Sequence, residues 1–223
     1  MEVVANLWQV GGAGHTADED AAVYLVRFGP QAALVDAGCG IAHGRLTANI
    51  AEVLPAEVEI TRLFLTHCHY DHSGGAEAVR KAYDCRIVAH ALDAVYLEKG
   101  DSRVTAAEWY GARMNPMRVD ERMSGSEATF PVGDGEVTAY HCPGHSPGSV
   151  VYVVEMGPRR VLFGQDVHGP LDASFRSDRD DYARSLTFMA GLQADILCEG
   201  HFGVIRGKGA VREFILSHLP PRS

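Results

Sequence analysis

The chain has no run approaching the roughly 18 consecutive apolar residues that a membrane-crossing helix needs. Its opening residues, Met1-Glu2-Val3-Val4-Ala5, carry neither a basic segment nor a long apolar one, so no signal peptide is expected. Positive charge is in short supply: 20 Lys and Arg stand against 29 Asp and Glu, for a formal net charge of −9. That is a poor footprint for nucleic acid or an anionic membrane, and it favours a small-molecule substrate. Cysteines number five, an odd count without C-x-x-C spacing. A disulfide framework is thereby disfavoured, and a reducing, cytoplasmic setting is expected. No low-complexity linker interrupts the sequence, so residues 1–223 are expected to form one domain, long enough for a real core. Self-association into a homo-oligomer is left open.

What the chain does have is a crowded turn, Thr66-His67-Cys68-His69-Tyr70-Asp71-His72-Ser73-Gly74-Gly75. It follows the strand-like Leu63-Phe64-Leu65 and precedes a helix-like stretch over 75–83. His67 and His69 are two residues apart, so at a strand end both point the same way, while Asp71 and His72 follow the turn. Three more candidates stand just after short apolar runs: His145 in Gly144-His145-Ser146-Pro147-Gly148, Asp166 after Val161-Leu162-Phe163, and His201 after Ile196-Leu197-Cys198. Imidazole and carboxylate together suit zinc, iron or manganese. His15, His43, His90, His141 and His218 read as satisfied or solvated imidazoles. His168, two residues past Asp166, is a candidate substrate contact; Tyr70, inside the metal loop, reads first as a packing residue and second as a substrate contact. Cys39, Cys68, Cys142 and Cys198 read as small buried thiols.

The patterning predicts strands over 3–10, 21–28, 32–36, 61–66, 85–89, 135–140, 149–154, 160–163 and 195–198. Helices are predicted over 43–53, 75–83, 180–192 and 210–216. Two β-rich halves with helices outside predict an α/β (α+β) fold, a four-layer αββα sandwich with the His- and Asp-bearing loops along one edge. Residues 90–131 show helix-like pieces over 91–98 and 105–113 but no clear strand pattern, and are expected to be a specificity insertion between the halves. With 167–181 they are expected to form the substrate rim, with Arg113, Met114, Phe175 and Arg176 as contacts.

H-x-H-x-D-H, then Gly-His-Ser-Pro-Gly, Gly-x-Asp and Gly-His, preceded by Leu34-Val35-Asp36-Ala37-Gly38, resemble the metallo-β-lactamase-fold superfamily. The likeness runs from about Val23 to His201, with the five motifs in the family's order. Locally it is nearest to the glyoxalase II, lactonase and persulfide dioxygenase branches. The resemblance implies His67, His69 and His145 as ligands of a first metal, and Asp71, His72 and His201 as ligands of a second. It also implies Asp166 as the bridge and Asp36 as a support bonded to the ligands rather than to metal.

The implied activity is that of a hydrolase with a dinuclear zinc centre and a bridging hydroxide, acting on a small ester-like bond, a thioester or lactone. Two cations roughly 3.5–4 Å apart can hold one water between them and lower its pKa toward about 7. Asp71 is expected to add charge at the second metal and to orient the nucleophile. The alternative is a mononuclear iron persulfide dioxygenase-like oxidoreductase, because that branch keeps the same H-x-H-x-D-H loop; the cofactor alternative to two zinc ions is iron, one or two ions. Glyoxalase II carries a further helical domain after its last motif, whereas here Pro220-Pro221 follow soon after His201, so the acyl carrier is left open.

Overall fold

The computed structural model describes residues 1–221, which form two sheets and six α-helices. Seven strands make the first sheet, in spatial order Glu2–Val4 (β1), Leu7–Gly11 (β2), Val23–Phe28 (β3), Gln31–Val35 (β4), Glu59–Phe64 (β5), Arg86–His90 (β6) and Glu121–Met123 (β7). Six make the second: Glu127–Val132 (β8), Gly135–His141 (β9), Val150–Met156 (β10), Arg159–Gln165 (β11), Ile196–Glu199 (β12) and Val204–Arg206 (β13), also in sequence order across the sheet. The helices are His43–Val53 (α1), the single turn Tyr70–Ser73 (α2), Ala76–Tyr83 (α3), Ala91–Lys99 (α4), Arg179–Gly191 (α5) and Lys208–Ser217 (α6). None of the described helices is long and apolar enough to cross a membrane.

The layering follows from strands that are apolar on both faces. In β4, Ala33 and Val35 turn one way and Ala32 and Leu34 the other; in β10, Val150, Tyr152 and Val154 oppose Val151 and Val153. Such strands must be covered twice, once by a second sheet and once by helices. The inward sets meet between the sheets, where Phe64 packs on Tyr152 and Tyr24 on Phe163. The outward set of the first sheet is covered by α1, α3 and α4 through Leu46, Ile50, Val79 and Leu97. That of the second is covered by α5 and α6 through Leu186, Met189, Val211 and Ile215. The result is the αββα sandwich expected.

Strands β4, β5 and β6 run parallel, as do β11 and β12. Their carboxyl ends therefore fall on common edges, where loops can converge on a site.

Some elements differ from the sequence reading. The single strand expected over 3–10 is two, β1 and β2, reversed at Asn6, which adopts φ +66°. Strand β13 was not expected. Within 90–131 only α4 matches; 105–113 yields a 3-10 turn at Ala107–Tyr110. Its last residues are not an insertion: β7 extends the first sheet beside β6, and β8 extends the second beside β9. Glu121-Arg122-Met123 is too short and too charged to show alternation, as suits an edge strand.

Candidate metal centre

Beyond β5, Leu65 is still tied to the sheet through its N–H to Val88 O, 2.9 Å. From Thr66 the chain crosses the edge and winds into α2. Ser73 Oγ closes that turn on the carbonyls of Cys68 and His69, at 2.9 and 2.8 Å. In the opposing loop two glycines allow close approach. Gly144 has φ +130°, and a Cβ there would lie 2.2 Å from Tyr182 N; a Cβ on Gly148 would lie 2.5 Å from Asp93 N. Together they seat His145 between α4 and α5.

Seven side chains from four loops meet here in two donor groups. His67, His69, His145 and Asp166 form one; Asp71, His72, Asp166 and His201 form the other. Within each, the candidate donor atoms all lie within 4.8 Å of one another. Asp166 faces both: Oδ2 is 3.3 Å from His145 Nε2 and 3.9 Å from His67 Nε2, while Oδ1 is 3.0 Å from His72 Nε2 and 3.4 Å from His201 Nε2. Asp71 Oδ2 is 3.2 Å from His201 Nε2. The donor set fits metal ions. His67 Nε2 is buried in the cluster without a hydrogen-bond partner, which an ion would supply.

Burial, then repulsion from neighbouring imidazoles, holds His67 and His69 well below the usual histidine range. They are neutral, as ligation requires. At His72 burial acts the same way, but Asp166, Asp71 and Asp36 outweigh it and push the pKa well up. His201 follows, pushed up to about 10 against its own burial by Asp166 and Asp71. Burial opposes ionisation of Asp166, yet the surrounding histidines hold it well below the carboxylate range.

Three buried carboxylates outside the donor groups fix the loops. Asp36 accepts from Thr66 N at 2.8 Å and Thr66 Oγ1 at 2.7 Å, and lies 2.7 Å from His72 Nδ1, which leaves Nε2 for the cluster. Asp93, fully buried, accepts from Cys68 N at 2.9 Å, Ser146 Oγ at 2.6 Å and Gly148 N at 2.7 Å, tying the His67–His69 turn to the His145 loop. Glu199, also fully buried, accepts from the backbone N–H of His201 and Phe202 at 2.7 and 2.9 Å, and lies 2.9 Å from His168 Nδ1. Sequence reasoning missed Asp93 and Glu199.

A pocket of about 160 Å³ opens on the cluster, walled by Ala106, Trp109, Tyr110, Pro170 and Phe175, with His168 at its side. His168 thus lines the pocket. Tyr70 does not: its ring lies 5.8 Å from that of Tyr110 and lines an adjoining cavity of about 270 Å³. Tyr110, which was missed, takes the position at the metal cluster, where burial and the Asp71 carboxylate keep its hydroxyl protonated. Of the expected rim contacts, Phe175 stands 4.4 Å from the His69 ring. Arg113 and Met114 line the adjoining cavity instead, and Arg176 sits over Tyr96. All five cysteines are buried and free.

Comparison with known proteins agrees with this geometry. The chain is 26% identical to the probable metallo-hydrolase YflN of Bacillus subtilis, over 78% of this chain and 76% of that one. It is also 26% identical to the acyl-coenzyme A thioesterase MBLAC2 of Homo sapiens, over 65% of this chain and 57% of that protein, so it spans little more than half of that relative. Among solved structures, a metallo-beta-lactamase of Cronobacter sakazakii superposes with a TM-score of 0.81 at 18% identity, covering 98% of this chain and 90% of its own. The family model described as the metallo-beta-lactamase superfamily matches residues 17–201, from the loop before β3 to His201, and the chain belongs to that superfamily.

Proposed function

We propose that this chain is a hydrolase of a small carboxylic ester-type bond, a thioester first and a lactone second, working with two zinc ions. The observation that carries the reading is Asp166, whose two oxygens face two separate donor groups. Metal ions held there would lower the pKa of water toward neutrality and polarise a carbonyl oxygen. The rest falls to the chain's own side chains. Asp71 lies in the pocket wall beside Tyr110, where it can accept a proton-bearing contact from water and aim it. His168, tied to Glu199 through Nδ1, leaves Nε2 as the atom free to meet substrate or leaving group. Ala106, Trp109, Pro170 and Phe175 exclude bulk water from one side. The thioesterase relative supports an acyl substrate, the net charge of −9 a small molecule rather than nucleic acid, and the five free thiols a cytoplasmic setting.

The test joins elemental analysis to a substrate panel of thioesters, lactones and phosphodiesters. Zinc near two per chain with thioester or lactone hydrolysis is the expected result. Iron near one per chain, with oxygen uptake on a persulfide and no hydrolysis by the zinc-loaded form, would replace this reading with the iron dioxygenase.

A further inference from the structure

Four large aromatic side chains stand exposed among the described residues: Trp109, Tyr110, Phe188 and Phe202. Two of them line the metal pocket and a third packs on a residue that lines it. Trp109 and Tyr110 line it, and Phe202 packs 5.0 Å from His168, which lines it from the other side. Trp109 is 59% exposed and Phe202 60%, yet both are braced. Trp109 rests 4.6 Å from Phe175, which rests on the ligand His69. Phe202 rests on Phe214 at 5.7 Å. Exposed aromatics held in place from behind mark a surface kept for a partner.

The pocket itself is small. About 160 Å³ is the volume of about five waters at ~30 Å³ each, enough for the reacting ester group and little more. Whatever else the substrate carries must pass over the rim. No Lys or Arg lines the pocket, so beyond the metal cluster an anionic arm finds no counter-charge there. Arg113 serves the adjoining cavity and Arg176 is engaged with Tyr96. A membrane or a second copy seated on this patch would cover the mouth.

We propose that the Trp109–Phe202 rim holds the acyl chain of the substrate, so that the preferred ester or thioester carries an extended apolar acyl group. This rests on the hydrolase reading above and names its substrate class. The experiment is a series of acyl thioesters of one small thiol, acetyl through octanoyl, offered to the zinc-loaded protein. The expected result is a rise in kcat/KM of about tenfold or more along the series, since each buried methylene adds to binding. Trp109→Ala and Phe202→Ala should flatten the rise, lowering octanoyl turnover more than acetyl turnover. A flat series with steady acetyl hydrolysis would overturn the acyl rim and leave the hydrolase reading standing. If no ester is cleaved the hydrolase reading falls, and binding decides the rim. Decanamide, neutral and not hydrolysed, should shift the emission of Trp109 in the protein as purified, with Trp109→Phe, which keeps Trp8, as the blank. Absence of that shift overturns the proposal. So does a dimer, seen by sedimentation, that Phe202→Asp separates, because the patch then belongs to a second copy.

Discussion

His67 and His69 crowd behind Phe175, where burial and mutual repulsion hold them neutral; His72 and His201 stand among Asp36, Asp71 and Asp166, which hold them protonated in the metal-free chain. The first donor group is a set of nitrogens ready for a cation. The second is a network of ion pairs that must release protons before a cation can enter. They also differ in access: the His67 and His145 side chains are sealed, whereas His201 is 32% exposed at the pocket mouth. One carboxylate, Asp166, belongs to both. The contrast predicts two metal sites of unequal affinity and unequal pH dependence.

The largest effect should come from the shared residue. Asp166→Asn removes a ligand charge from both groups and should lower metal content at both, with turnover falling by about 10³-fold or more, several kcal/mol of transition-state stabilisation. His201→Ala strikes only the second group and should leave about one ion per chain. Elemental analysis of the two variants side by side checks this, with circular dichroism to show that the fold persists. Equal metal loss in both would break the contrast.

The next effect is on pH. Metal affinity at the second group should fall by about tenfold per pH unit for each proton displaced as pH drops from 8 to 6, while the first group changes far less. Zinc titrations at the two pH values read this directly. The metal-free chain has its own dependence. The folded pKa of His201, about 10, lies above its ordinary 6.5, so its ion pairs stabilise fully below about pH 6.5 and lose that contribution as pH rises toward 10. The Tm of the metal-free chain should fall across that window, and the His201→Ala chain should lose that part of the fall.

The seven donors were legible because each follows a short apolar strand, and strands fix where their loops emerge. The layers were legible for the same reason: β4 and β10 are apolar on both faces. What could not be read is what those loops lean on. Asp93 is fully buried while its neighbour Leu92 is 49% exposed, the reverse of what polarity alone suggests. The cause is tertiary, since three donors from two other loops converge on its carboxylate. Glu199 ends a strand and reads as an ordinary edge charge until the His201 turn folds over it. Tyr110 gives no signal in the sequence, because its closeness to the ligands is spatial and not sequential. The 3-10 turn at 107–110 carries Tyr110 to the metal face, and α2 turns Tyr70 away from it.

Those two carboxylates sharpen the comparison at a smaller scale, because each serves one group. Asp93→Asn should loosen the first group, whose His67–His69 turn and His145 loop it joins. Glu199→Gln should loosen the second through His201, and Asp36→Asn should do so through His72. Losses of about 10–100-fold in metal affinity are expected for such supports. Cobalt-substituted protein separates positioning from mere destabilisation, since the ligand-field bands should change for one site and not the other. Bands that change alike in all three variants would mean that the carboxylates act through global stability.

The smallest effect is expected at Cys68, between His67 and His69. Its position invites a role as a ligand, but the side chain points the other way, into the apolar layer with Leu65, Ala76 and Val79. Burial first, and then the nearby Asp93 carboxylate, push its thiol well up, so no thiolate is on hand for a metal. The loop is held to Asp93 by the Cys68 backbone N–H at 2.9 Å, which alanine leaves intact. Cys68→Ala should therefore keep full metal content and change turnover by less than about threefold. It should cost about 1 kcal/mol of stability, the scale of a small cavity. A fall in first-site metal affinity comparable to that of Asp93→Asn would show that the thiol, and not the backbone behind it, sets that half of the site.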